Sequence, residues 1–86
     1  MPTISKFYGL VIRMYFDDKH VPHFHVSYAE HRALIAIQDV SLIAGRLPDR
    51  AYRLATEWAE LHRAELMANW ERARRQEALE WIEGLE

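Results

Sequence analysis

Three histidines of this chain lie close together, at His20, His23 and His25. Residues 23–28 alternate between polar and apolar side chains, which is typical of a half-buried β-strand. Because side chains two positions apart in a strand point to the same face, His23 and His25 are expected side by side. Imidazole titrates near neutral pH and can transfer protons or bind metal ions. The sequence therefore predicts a catalytic or metal-binding site at residues 20–25.

One interpretation is acid–base chemistry on RNA. In the register favoured by the hydrophobic pattern, Arg13 and Tyr15 of the preceding strand share the face of His23 and His25. The two histidines would act as acid and base of a metal-independent endoribonuclease, with one accepting the 2′-hydroxyl proton and the other protonating the leaving oxygen. Arg13 would stabilise the negative charge of the phosphorane, and Tyr15 is the fourth candidate catalytic residue.

Two other interpretations remain open. His20, His23 and His25 are candidate ligands of a divalent metal ion, because zinc, nickel and copper accept imidazole, and Asp17 and Asp18 lie nearby in the chain. Alternatively, the histidines belong to a solvated surface or a protein interface, where arginine and aromatic residues are enriched. The sequence carries no nucleotide-binding or nucleophile-elbow motif, and no cofactor is predicted.

Length and composition limit the function classes. The chain has 86 residues, of which 50% are hydrophobic, so residues 1–86 are expected to form a single folded domain. With no cysteine, disulfides and thiol chemistry are excluded. A formal net charge of −2 disfavours a strongly basic nucleic-acid binder. We expect a cytoplasmic protein, since the sequence has no apolar run long enough to cross a membrane and no signal-peptide pattern.

The elements that must position the histidines change character near Pro48. Residues 1–46 are predicted to form a β-meander, since their short connections favour antiparallel pairing. Four strands are expected, over residues 7–16, 23–28, 32–37 and 40–44. Residues 48–75 are predicted to form one long helix with an apolar stripe that contains Trp58 and Trp70. The tail, residues 76–86, is expected to pack back as a short strand or an extended arm.

The predicted fold is therefore α+β: a four-stranded antiparallel sheet with one long C-terminal helix packed on one face. Phe24, Val26 and Tyr28 should face the helix. The opposite face would have no cover, and polar side chains should gather there. They are Arg13, Tyr15, His23, His25 and Ser27, with Arg32 from the next strand.

The chain also resembles a known family, on residues spread over nearly its whole length. They are Pro2–Gly9, Ile12–Phe16, the Pro-His-Phe-His-Val motif at Pro22–Val26, Leu47-Pro48, Glu57–His62 and Glu65–Glu71. These residues resemble the domain of unknown function 4160 family of small bacterial proteins. Val21 stands where many members have a second proline, and Arg75–Glu77 stands where they commonly have a glycine-containing turn.

The resemblance implies a small protein that works with a cognate small protein encoded nearby. We therefore expect first a cytoplasmic partner-binding protein, as one component of a toxin–antitoxin-like module. The metal-independent endoribonuclease and the His-based metal-binding domain are the alternatives. RNA as a ligand and a homodimer formed through the bare sheet are also open, and no membrane partner is expected.

Overall fold

The computed structural model describes residues 2–17 and 19–86, so Met1 and Asp18, the second acidic neighbour of the histidines, lie outside the described residues. The fold is α+β, with an antiparallel sheet whose strands follow chain order. The strands are β1 (Thr3–Phe7), β2 (Leu10–Arg13), β3 (His23–Tyr28), β4 (His31–Ala36) and β5 (Leu42–Gly45). The helices are α1 (Asp49–Leu61) and α2 (Arg63–Arg74).

The prediction of one strand over residues 7–16 is wrong, because the chain forms β1 and β2 with a turn between them. The sheet therefore has five described strands in place of the four predicted. The chain reverses at Tyr8 and Gly9, whose φ angles are 50° and 85°. Positive φ at both central positions matches the twist of a two-residue hairpin. The continuous run of apolar residues concealed this turn, because Tyr8 carries a side chain that usually avoids positive φ.

The single helix predicted over residues 48–75 is also wrong, because it is interrupted at His62, where φ is −116° and ψ is 25°. Neither proline nor glycine stands at the break, so the sequence pattern does not mark it. Beyond the break, Leu66 and Trp70 are buried in α2. The indole of Trp70 packs against Phe16, with ring centroids 5.2 Å apart. Tertiary packing therefore accounts for the direction of α2.

The core lies between α1 and one face of the sheet. Trp58 is fully buried at its centre, with ring centroids 5.3 Å from Phe7 and 5.9 Å from Phe24. Phe24 and Val26 are buried in the same core, as the alternation in β3 predicts. His25, which lies between them in β3, is consequently directed to the other face of the sheet.

The tail packs back on the domain as an extended arm. Ile82 is buried, and its backbone N–H donates to the carbonyl of Ile4 in β1 at 2.7 Å. The indole N–H of Trp58 donates to the carbonyl of Glu83 at 2.8 Å. The tail therefore occupies part of the outer edge of β1. Among the described residues, the structure has no helix with both the length and the apolar character that crossing a bilayer requires.

Candidate functional site

Polar side chains from three neighbouring strands meet on the sheet face opposite α1. Arg13 of β2 pairs with His25 of β3, and Ser27 of β3 pairs with Arg32 of β4. A cavity of about 330 Å³ lies over these pairs. We call it the open-face cavity; it is lined by Arg13, Tyr15, His25, Val26, Ser27, Arg32, Ala33 and Leu34. Strand register thus brings together most of the residues that the sequence assigned to this face.

Two arginines give the open-face cavity a positive charge. Nη1 of Arg13 donates to the hydroxyl of Ser27 at 3.2 Å. Nη1 of Arg32 donates to the backbone carbonyls of Ala29 and His31, which holds the guanidinium beside the turn. Within residues 2–17 and 19–86, no ion pair includes either arginine. Both positive charges therefore lack a carboxylate among the described side chains.

Tyr15 and His25 form the aromatic side of the open-face cavity. Their rings are stacked, with centroids 4.3 Å apart and planes 21° apart. The Tyr15 hydroxyl lies 3.4 Å from Nδ1 of His25. Burial lowers the pKa of His25, and the neighbouring His23 lowers it further, so the neutral ring is favoured. Nε2 of His25 is buried and has no hydrogen-bond partner among the described residues.

His23 does not lie on an uncovered face, and that prediction is wrong. Its side chain is fully buried, with its ring centroid 5.2 Å from that of Trp70 in α2. Nδ1–H donates to the carbonyl of Val21 at 2.8 Å, and Nε2 lies 3.6 Å from Oδ2 of Asp17. The break at His62 explains the error, because the α2 that follows it carries the tryptophan that covers His23. Of the predicted catalytic residues, Arg13, Tyr15 and His25 line the open-face cavity, and His23 does not.

His23 instead belongs to a second cluster, with Asp17 and His20. One ligand atom from each residue lies within 4.8 Å of the others. Oδ2 of Asp17 is 3.6 Å from Nε2 of His23, and Oδ1 is 3.5 Å from Nδ1 of His20. Of the predicted metal ligands His20, His23 and His25, this cluster contains His20 and His23, together with Asp17. We call these three residues the Asp17 cluster.

The Asp17 carboxylate is held by its own turn. Oδ1 accepts hydrogen bonds from the backbone N–H groups of Lys19 and His20, at 3.0 Å and 3.2 Å. These bonds, that of Lys19 above all, lower the pKa of Asp17 and keep it ionised. An Asp that accepts from the N–H two residues later is a recognisable turn signal. The sequence Asp17-Asp18-Lys19-His20 carries this signal.

The protein is a small α+β domain. The open-face cavity and the Asp17 cluster concentrate its polar groups at β2, β3 and the turn between them. Residues 9–71 match the model of the family described as Domain of unknown function (DUF4160). The match covers most of the chain, and the protein therefore belongs to this family. It includes every residue of the open-face cavity and of the Asp17 cluster. No curated protein and no solved structure matches the chain.

Proposed function

We propose that this protein binds a small phosphate-bearing ligand in the open-face cavity. The observation that carries the proposal is that Arg13 and Arg32 line one cavity and that no described carboxylate pairs with either. Guanidinium groups bind phosphate through paired, charge-assisted hydrogen bonds. A phosphate group is therefore the ligand chemistry that the cavity suits best.

The remaining polar groups suit the rest of such a ligand. The hydroxyls of Tyr15 and Ser27 can donate or accept hydrogen bonds, and the ring of His25 lines the cavity beside them. A volume of about 330 Å³ lies at the lower end of the range of about 300–1,000 Å³ for small-molecule pockets. This size favours a ligand such as a mononucleotide, or one nucleotide unit of an RNA chain.

The geometry supports binding in preference to cleavage by a pair of histidines. His25 lines the open-face cavity, whereas His23 is fully buried beside Trp70 and bonded to Val21. For His23 to exchange a proton with a ligand in the cavity, it would have to break this hydrogen bond and leave its buried position. The acid–base pair of the endoribonuclease hypothesis is thus divided between two environments.

Calorimetric titration with AMP and with inorganic phosphate tests the proposal. Arg13→Gln should weaken the binding of both by about tenfold or more, since hydrogen bonds to charged groups contribute about 1.5–3 kcal/mol. Arg53→Gln, an exposed position of α1, is the matched control and should bind as the wild type does. Binding of neither probe to the wild type, or unchanged affinity in Arg13→Gln, would contradict the proposal. Binding of an RNA oligonucleotide but not of AMP would assign the site to a chain phosphodiester.

A protein partner is the second candidate, and the outer edge of the sheet favours it. Among the described strands, β5 pairs with β4 alone, and its outer edge is open. Leu42 on this strand is 44% exposed. An open edge can pair with a strand of another chain. This surface suits the expected cognate protein of a toxin–antitoxin-like module, or a second copy of this chain.

Light scattering after size exclusion tests the second candidate, on the protein alone and co-expressed with the neighbouring small protein. A complex formed through β5 should be lost in Leu42→Arg and retained in Leu61→Arg, a change at the exposed end of α1. Both substitutions replace exposed leucines, so folding should be equally unaffected. A monomer in both preparations, or a complex that persists in Leu42→Arg, would count against an interface at β5.

A further inference from the structure

We propose that Asp17, His20 and His23 form a site for a divalent transition-metal ion of the zinc type. The site goes beyond the proposed phosphate site, since it uses none of the residues that line the open-face cavity. Two imidazoles and one carboxylate are a donor set suited to zinc, nickel, copper or iron(II), rather than to magnesium or calcium, which prefer oxygen ligands.

Two distances in the Asp17 cluster match those of such a site, and one ligand atom from each of the three residues lies within 4.8 Å of the others. In a tetrahedral centre with bonds of about 2.0–2.2 Å, neighbouring ligand atoms lie about 3.3–3.6 Å apart. The observed separations from Asp17 are 3.6 Å to His23 and 3.5 Å to His20, through different carboxylate oxygens. The side chains of Asp17 and His20 are 36% and 45% exposed, so both can adjust to a shared ion.

His23 provides an independent observation that points to a ligand. It is fully buried, and its Nε2 has no hydrogen-bond partner in the described part of the chain. A buried nitrogen left without a partner costs about 1–3 kcal/mol. A metal ion bound between Nε2 and the carboxylate of Asp17, which Nε2 faces, would give this nitrogen a partner and remove the cost. Nδ1–H donates to the carbonyl of Val21, which is the outer hydrogen bond that metal-binding histidines typically make.

The competing explanation is an ion pair between protonated His23 and Asp17. At 3.6 Å the two atoms are too far apart for a good hydrogen bond. A metal ion would explain both the missing hydrogen-bond partner of His23 Nε2 and the position of the His20 ring beside Asp17. An ion pair between His23 and Asp17 explains only the first.

Three protein ligands leave at least one coordination position for water or another ligand. The rings of His23 and His25 have centroids 5.3 Å apart, so the Asp17 cluster adjoins the open-face cavity. An ion held by the cluster would therefore lie near the His25 side of the open-face cavity. Metal binding itself does not require that phosphate, and the two sites can be tested separately.

The experiment is calorimetric titration of chelator-treated, desalted full-length protein with ZnCl₂, and with MgCl₂ as a comparison. The wild type should bind one zinc ion and no magnesium. His20→Ala and Asp17→Asn should each weaken zinc binding by about tenfold or more, because loss of even an outer hydrogen bond to a ligand typically costs about 10–100-fold. His31→Ala is the matched control, since His31 also lies 3.5 Å from a carboxylate, that of Glu30, and should bind zinc as the wild type does.

Imidazole ¹⁵N NMR supplies a measurement that does not require replacing the buried His23. Zinc should shift the ring nitrogens of His20 and His23 and leave those of His31 unchanged. No zinc binding, or binding unchanged in both His20→Ala and Asp17→Asn, would overturn the site and favour the ion pair. Arg13→Gln should retain zinc binding whether or not phosphate binds, so failure of one proposal is distinguishable from failure of the other.

Discussion

His23 donates its Nδ1–H to the backbone carbonyl of Val21 at 2.8 Å. This bond orients the ring so that Nε2 faces Asp17, while His25, two residues later in β3, lines the open-face cavity. Two histidines of one motif thus belong to two environments. We therefore propose different ligands for them: a metal ion at His23 and a phosphate group beside His25.

Salt should weaken phosphate binding through Arg13 and Arg32. Because both guanidinium groups lie at a solvent-accessible cavity, raising the salt concentration from about 0.05 M to about 0.5 M should reduce the affinity for AMP by screening. Adenosine, which lacks the phosphate, is the control, and its binding should change little. Calorimetry at the two salt concentrations makes the comparison. Equal salt sensitivity of AMP and adenosine would contradict a role for the arginines.

Gly45→Ala should destabilise the protein much more than Gly9→Ala. Both glycines have positive φ, 82° and 85°, where a side chain costs about 1–2 kcal/mol. A Cβ at Gly45 would also lie 2.2 Å from the backbone oxygen of Arg32, whereas one at Gly9 would lie 3.3 Å from the ring of Tyr28. We expect a loss above about 2 kcal/mol for Gly45→Ala, measured by urea unfolding. Equal losses would refute the close approach of β5 to β4.

Asn69→Ala should release the tail. The buried amide of Asn69 donates to the carbonyl of Glu80 at 2.8 Å and accepts from its N–H at 2.9 Å. Removing it leaves backbone groups without partners, at a cost of about 1–3 kcal/mol each where they stay buried. Urea unfolding and amide exchange at Ile82 measure the effect. Gln38→Ala, at an exposed position, is the control. An unchanged Ile82 exchange rate in Asn69→Ala would show that the two hydrogen bonds between Asn69 and Glu80 do not hold the tail.

Glu71 should titrate below its usual value of 4.5. The hydrogen bond from Arg74 is the main cause, and the charge of Arg74 adds to it, so the pKa of Glu71 is lowered. A lowered folded-state pKa stabilises the protein above the unfolded value, and this stabilisation is lost as pH falls through the folded-state pKa. Side-chain carboxyl NMR should show the lowered midpoint, and Arg74→Gln should restore it. An unchanged midpoint in Arg74→Gln would assign the shift to another group.

The sequence predicts much of the sheet because alternation in β3 directly reports which side chains are buried. Phe24 and Val26 enter the core, and Arg13, His25 and Ser27 meet on the opposite face, as expected. This success depends on strand register, which the apolar residues specify.

The predictions of the first strand, the single helix and an exposed His23 fail because the local sequence pattern does not mark these features. Tyr8 adopts positive φ without being glycine, which concealed the first hairpin. The break at His62 follows from tertiary packing, and with it Trp70 covers a histidine that alternation placed in solvent. The Asp17 cluster was missed in part because a turn, rather than a strand, brings Asp17 to His20 and His23.

The most direct test of the central claim is an NMR titration of the metal-free protein with AMP. We predict that the largest shifts occur at the Arg13 guanidinium and at Ser27, His25 and Arg32, and that they are lost in Arg13→Gln. Signals of Leu42 at the sheet edge should stay unchanged. Absence of shifts at saturating AMP, or shifts confined to residues outside the open-face cavity, would contradict the account.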